Sequence, residues 1–130
     1  MPFLLDSAWI PDAETASTWG WVEGITTNPT LLSKSGISPE ETLRRLAELT
    51  LGPVFYQLVS QEYEAMLEEA RRAGDILGDQ LVIKILPTPA GVQTAAHLAG
   101  TFSCAITGIY SPAQALVAEA AGARFAIIYY

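Results

Sequence analysis

Leu81-Val82-Ile83-Lys84-Ile85-Leu86 is the stretch on which the reading of this chain turns. A short run that is apolar on both faces fits a strand covered on both sides, as strands are in parallel sheets. Side chains alternate along a strand, so Val82 and Lys84 share one face while Leu81, Ile83 and Ile85 share the other. A lysine in such a run is costly unless its ammonium reaches water, finds a partner or loses its proton. Desolvation lowers a lysine pKa and makes the amine a nucleophile toward carbonyls, forming an iminium that serves as an electron sink for C–C cleavage. The competing reading is a strand-end lysine snorkelling into solvent, and periodicity alone favours it.

Similar apolar runs stand on either side, at Phe3–Leu5, Val22–Thr26, Val54–Val59, Ser103–Thr107 and Arg124–Tyr129. Longer amphipathic segments separate them, which predicts repeated β-α units and a parallel sheet. Ser38-Pro39-Glu40-Glu41 and Ser111-Pro112-Ala113-Gln114 each set Ser at an N-cap, Pro at the first helical position and Glu or Gln three residues after the cap. Ser60 and Thr88 are expected to cap two further helices, Gly74, Gly100 and Gly122 to mark helix ends, and Gly52-Pro53 to precede a strand. The chain begins with a strand and ends in or just after another, giving about six strands. A closed (β/α)₈ barrel takes about 250 residues and at least about 200, so the 130 residues here are expected to form one domain, residues 1–130, that is a partial barrel lacking the C-terminal β/α units. Either this is a fragment, or it is a natural short form that shields its open edges with another copy as a homo-oligomer.

Half of the residues are hydrophobic and 16% are charged, a composition suited to a buried sheet. Seven Lys and Arg against 14 Asp and Glu give a formal charge of −7, which repels a phosphate backbone and argues against nucleic-acid binding. The single cysteine, Cys104, has no partner for an internal disulfide, and neither a signal-like core nor a membrane-length apolar run is present. A cytoplasmic protein without membrane contact is expected. One His and one Cys are too few for a zinc site, and His97 reads as a surface or satisfied core residue. The stretch Glu62–Arg72, with Glu68 and Arg72 at i,i+4 and Met66 and Leu67 inward, reads as a solvated helix face.

Nearly every apolar run finishes in a polar residue suited to chemistry: Asp6, Thr26 with Asn28, Gln57, Lys84, Thr107 and Tyr129. Alternation pairs Leu4 with Asp6, Phe55 with Gln57 and Ala105 with Thr107, so these groups meet at the C-terminal rim if those faces point inward. That rim is where parallel barrels place their active sites. Asp6 is equally suited to capping a first helix or to orienting substrate hydroxyls and moving protons. Gln57, an amide in an apolar strand, needs a hydrogen-bond partner, which a ligand, a catalytic water or a structural bond would supply. Thr107 and Tyr129 are ordinary strand residues singled out by their parity and strand-end placement.

Four stretches together resemble the fructose-6-phosphate aldolase and transaldolase family from end to end. They are Leu5-Asp6, Gly24-Ile25-Thr26-Thr27-Asn28-Pro29-Thr30, Val82-Ile83-Lys84-Ile85 and Tyr110-Ser111-Pro112-Ala113-Gln114-Ala115. The resemblance implies an α/β fold of the (β/α)₈ TIM-barrel family and a class I aldolase reaction on a sugar-phosphate or dihydroxyacetone-type substrate, with no cofactor and no metal. Lys84 matches the Schiff-base lysine, Asp6 the carboxylate that contacts substrate and assists proton transfer, and Asn28 the substrate-binding asparagine, with Thr26 beside it. Gln57 and Tyr129 match the aldolase pattern, where transaldolases carry a carboxylate and a phenylalanine; Ala105 stands where transaldolases carry asparagine. Gln57, Thr107 and Tyr129 would then hold the catalytic water, with Tyr129 as acid/base.

The resemblance thus implies reversible cleavage of a ketose phosphate to dihydroxyacetone and glyceraldehyde 3-phosphate. Its alternatives are transfer of the dihydroxyacetone unit by a transaldolase, and a truncated barrel subunit without catalysis. Ile127 and Ile128 depart from the family's small residue and proline before the tyrosine, and the family's phosphate-binding arginine is expected after Tyr129. Impaired activity is therefore expected of these residues by themselves.

Overall fold

The computed structural model describes residues 2–130. Strands and helices alternate. The strands are β1 (Leu4–Asp6), β2 (Gly24–Thr26), β3 (Val54–Gln57), β4 (Leu81–Ile85), β5 (Ser103–Ile109) and β6 (Phe125–Ile128). The helices are α1 (Ile10–Ser17), α2 (Pro29–Ser33), α3 (Pro39–Glu48), α4 (Tyr63–Leu77), α5 (Pro89–Leu98) and α6 (Pro112–Ala120). The strands follow one another in chain order, β1-β2-β3-β4-β5-β6. β1 with β2, β2 with β3, β4 with β5 and β5 with β6 all run parallel. The fold class expected from the sequence is the one found: α/β, with six of the strands of a (β/α)₈ barrel in an incomplete barrel. Among the described residues no helix is long and apolar enough to cross a membrane.

The chain divides into two compact units. The first runs up to Gln57 and takes in Ala73–Leu81. Its core contains Ile25 and Val54 from the strands and Leu43 and Leu46 from α3. Ser38 caps α3 by accepting from the Glu41 amide at 3.2 Å, with Pro39 behind it, as the sequence predicts. The join between α3 and β3 is tied from a distance by Gln80, whose Nε2 donates toward the carbonyls of Ala47, Thr50 and Gly52 at 3.2, 2.9 and 3.0 Å. Gly52 lies so close to the chain before β2 that a Cβ on it would stand 1.6 Å from the carbonyl oxygen of Glu23. Close backbone approach, and not turn conformation, is what requires glycine there.

The second unit comprises Leu58–Arg72 and Val82–Tyr130. α5 and α6 both pack on β5. Thr88 caps α5 through the Gly91 amide at 3.0 Å and Ser111 caps α6 through the Gln114 amide at 3.3 Å, both as read from the sequence.

Four local expectations are corrected. Ser60 does not cap α4, which starts at Tyr63; the Ser60 amide is instead held at 3.0 Å by the carboxylate of Glu69. That contact, with a second from Val59, also explains why β3 stops at Gln57 and does not run to Val59. Gly74 is not a stop, since α4 continues through it to Leu77 and the chain turns at Gly78, whose φ is 55°. Glu68 pairs with Arg71 and not with Arg72.

Gly52→Ala is expected to lower unfolding free energy by about 3 kcal/mol or more, because backbone and not a flexible side chain opposes the new methyl. Gly78→Ala, with open space around it, should cost only about 1 kcal/mol of left-handed strain. Urea denaturation of the two variants checks the order; equal losses would show that the Glu23 segment yields.

Candidate active site

In the first unit the register fixes which side chains share a face. Asp6 stands opposite Thr26, and Thr26 opposite Phe55. Gln57, two residues beyond Phe55, falls on the same face at the end of β3. Asp6 does not cap a helix. α1 begins at Ile10 with Trp9 at its N-cap, and the intervening turn is tied by Ser7, whose Oγ donates to Asp12 Oδ2 at 2.8 Å and accepts from the Trp9 amide at 3.1 Å. The exposed Asp6 carboxylate is left to the strand end.

Asn28 has a structural task that the sequence reading missed. It is the N-cap of α2, its Oδ1 accepting from the Leu31 amide at 2.9 Å with Pro29 next in the helix. The cap fixes the side chain and uses only its oxygen, so the amide NH₂ can serve as a donor. Thr27 turns the other way, its buried hydroxyl donating to the Phe55 carbonyl at 2.7 Å.

In the second unit β4 is buried along its whole length. Lys84 is only 5% exposed, so the snorkelling alternative does not hold. Its carbonyl accepts from the Leu58 amide at 3.0 Å. Across the sheet Lys84 is in register with Ala105, and Ala105 with Phe125; the next site residue along β5, Thr107, is in register with Ile127. The lysine thus has a methyl beside it and an aromatic ring one strand further on. Thr107 is completely buried, and its Oγ1 has no hydrogen-bond partner among the described residues. A hydroxyl stranded in this way costs about 1–3 kcal/mol, which makes it the sharpest anomaly in the unit. Tyr129 follows the end of β6. Its amide donates to the Ile109 carbonyl at 2.8 Å, and its half-exposed ring meets that of Tyr110 edge-on, centroids 5.7 Å apart.

Other nucleophiles and ligands are set aside by the geometry. Cys104 is in register with Ile83, on the face opposite Lys84. Burial pushes its thiol up to about 11, so it is protonated at neutral pH and inert. His97 is exposed and touches Tyr63 edge-on. Among the described residues no three His, Cys, Asp or Glu side chains are grouped to hold a metal. An apolar cleft of ≈ 190 Å³ beside Ile106 and Val117 belongs to the other face of β5, since Ile106 is in register with Ile85 and not with Lys84.

Glu69 is the residue that the sequence reading most clearly missed. It is buried, and its two oxygens accept from the amides of Val59 and Ser60 at 2.9–3.1 Å, which fixes the turn following Gln57. The signal was present: position 69 falls with Met66, Ala70, Ala73 and Leu77 on the buried stripe of α4.

A model of the family described as Transaldolase/Fructose-6-phosphate aldolase matches residues 3–130. The chain belongs to the transaldolase/fructose-6-phosphate aldolase family. A probable transaldolase of Aquifex aeolicus is 39% identical over 126 residues, 96% of this chain and 58% of that protein. Probable transaldolases of Coprothermobacter proteolyticus and Thermoplasma acidophilum are 36% and 38% identical, again over 96% of this chain and over 58% and 57% of their own lengths. The chain therefore spans somewhat over half the length of these relatives.

Replacing the stranded hydroxyl tests the anomaly in this family member directly. Thr107→Val should raise unfolding free energy by about 1 kcal/mol, since it removes the unpaired oxygen at constant shape. Thr107→Ser, which keeps the oxygen and leaves a methyl-sized gap, should lower it by about 1 kcal/mol. Thermal melts of both variants decide; a destabilised Thr107→Val would mean that the hydroxyl is satisfied in solution.

Proposed function

We propose that the chain carries the Schiff-base half of a class I aldolase site of fructose-6-phosphate aldolase type, with Lys84 as the nucleophile. The observation that carries this reading is a lysine buried near the end of an apolar strand, with the unsatisfied hydroxyl of Thr107 on the same face one register row further along. Neutral Nζ adds to the ketose C2 carbonyl, and loss of water from the carbinolamine leaves an iminium. Removal of the proton from the C4 hydroxyl breaks the C3–C4 bond and releases glyceraldehyde 3-phosphate, the electron pair passing into the iminium to give an enamine. Protonation at C3 and hydrolysis then free dihydroxyacetone and the amine.

In this reading Asp6 handles protons and substrate hydroxyls, and Asn28 donates its NH₂ to substrate from a side chain already fixed by capping, with Thr26 beside Asp6 in register. Once substrate is bound, Gln57, Thr107 and Tyr129 hold the water through which protons move, which then supplies a partner for Thr107 Oγ1. Gln57, Tyr129 and Ala105 favour release of free dihydroxyacetone over its transfer to a second sugar, the transaldolase outcome. Assembly of several copies and a cytoplasmic setting accompany the reading as proposals.

Borohydride reduction in the presence of dihydroxyacetone should leave a stable adduct on Lys84, located by peptide mass spectrometry. Lys84→Arg, which keeps the charge and cannot form the iminium, should give none. An adduct on another residue, or none from folded protein, would sink the assignment. Release of dihydroxyacetone without an acceptor aldehyde separates the aldolase from the transaldolase outcome.

A further inference from the structure

The end of β5 breaks the alternation that orders the rest of the sheet. Thr107 is in register with Ile127, but Ile109 is in register with Ile128, so β5 advances two residues while β6 advances one. The extra residue is Gly108, at φ 81°, a conformation that strains any side-chain-bearing residue. Beyond this bulge the faces exchange. Ile109 pairs with a residue of the opposite face and is buried, and Tyr110 takes the face that Thr107 holds below. Just past β6 that face is continued by Tyr129, two residues after Ile127. The two rings meet there, at 5.7 Å and 68°.

The backbone around Tyr110 is firmly held. Its amide donates to Gln114 Oε1 at 2.7 Å, and the adjoining Ser111 caps α6. Its ring is 70% exposed, so core packing does not explain an aromatic residue at this position. Tyr129, by contrast, lies past the end of its strand, where its amide donates to the carbonyl preceding Tyr110. An edge-on ring contact is a directional restraint as well as a source of burial.

We propose that Tyr110 is a positioning residue for Tyr129: the Gly108 bulge carries it onto the site face, and its ring fixes the orientation of the Tyr129 ring and hence the place of the phenol hydroxyl. This rests on the reading of Tyr129 as the acid/base group. Tyr110 touches no reacting atom in this scheme and acts only through its neighbour.

The test uses the whole chain with dihydroxyacetone and reads two steps separately. Borohydride trapping reports iminium formation at Lys84, and proton NMR in deuterated buffer reports exchange of the substrate's hydroxymethyl protons, the step assigned to Tyr129. Tyr110→Leu should trap as much adduct as the unsubstituted chain while exchange slows about five- to tenfold and its pH profile shifts. Tyr110→Phe, which keeps the ring, should exchange at the unsubstituted rate, and Tyr110→Leu should have no further effect in a Tyr129→Phe background. Exchange within twofold of normal in Tyr110→Leu, or equal losses in Tyr110→Phe, overturns the proposal. So does loss of the native circular dichroism spectrum in Tyr110→Leu, which would make the residue structural. An unsubstituted chain that traps an adduct yet exchanges no protons removes the role of Tyr129 and this inference with it; one that traps none removes the Schiff-base reading itself.

Discussion

Alternation of side chains along hydrogen-bonded parallel strands is the constraint on which the rest depends. Register turns a period of two in the sequence into rows across the sheet, so Asp6, Thr26 and Phe55 form one row in the first unit and Lys84, Ala105 and Phe125 one in the second. The opposite parity is occupied by Ile25 and Val54 in the first unit and by Ile83, Ile85, Cys104 and Ile106 in the second, all buried. The candidate polar groups fall on the first parity, beside the buried Phe55, Val82 and Ala105. A one-residue slip would put Ile83 where Lys84 stands and bury the amine among helix-packing side chains, so the same hydrophobic pattern that stabilises the fold specifies the face of the lysine.

This is why so much was legible from sequence. Strand parity and the caps at Ser38, Thr88 and Ser111 are local properties, decided by residues within four positions of one another, and the structure reproduces them. Part of what was misread depends on partners distant in the chain. Ser60 looked like a cap until Glu69, nine residues away, took its amide. Gly74 looked like a stop, yet α4 continues through it, with the buried Ala70, Ala73 and Leu77 around it outweighing the roughly 1 kcal/mol that a helical glycine costs. Gln80, unremarked in the sequence, joins three carbonyls about thirty residues upstream. Asn28 was found through its family match, but its capping bond went unseen because Asn-Pro was read for substrate and not for the helix it opens.

The second unit carries features that a sequence optimised for stability would not keep. A methyl group in place of the Thr107 hydroxyl would relieve a stranded oxygen at no cost in shape. Lys84 places a buried amine in the same sheet. Both lie on the same face, in adjacent register rows, whereas Cys104, on the opposite face, is a neutral thiol packed in the core.

The bulge at Gly108 belongs with these features. A regular β5 would have brought Ile109 onto the chemical face and turned Tyr110 toward the helices, satisfying the pattern but walling the strand end with an aliphatic group. By spending one glycine the chain keeps Ile109 in the core and delivers an aromatic edge to Tyr129 immediately before α6 begins. The alternation that places Lys84 and Thr107 is therefore broken only after both have been placed, at the point where the next group on that face must come from the turn and not from the strand.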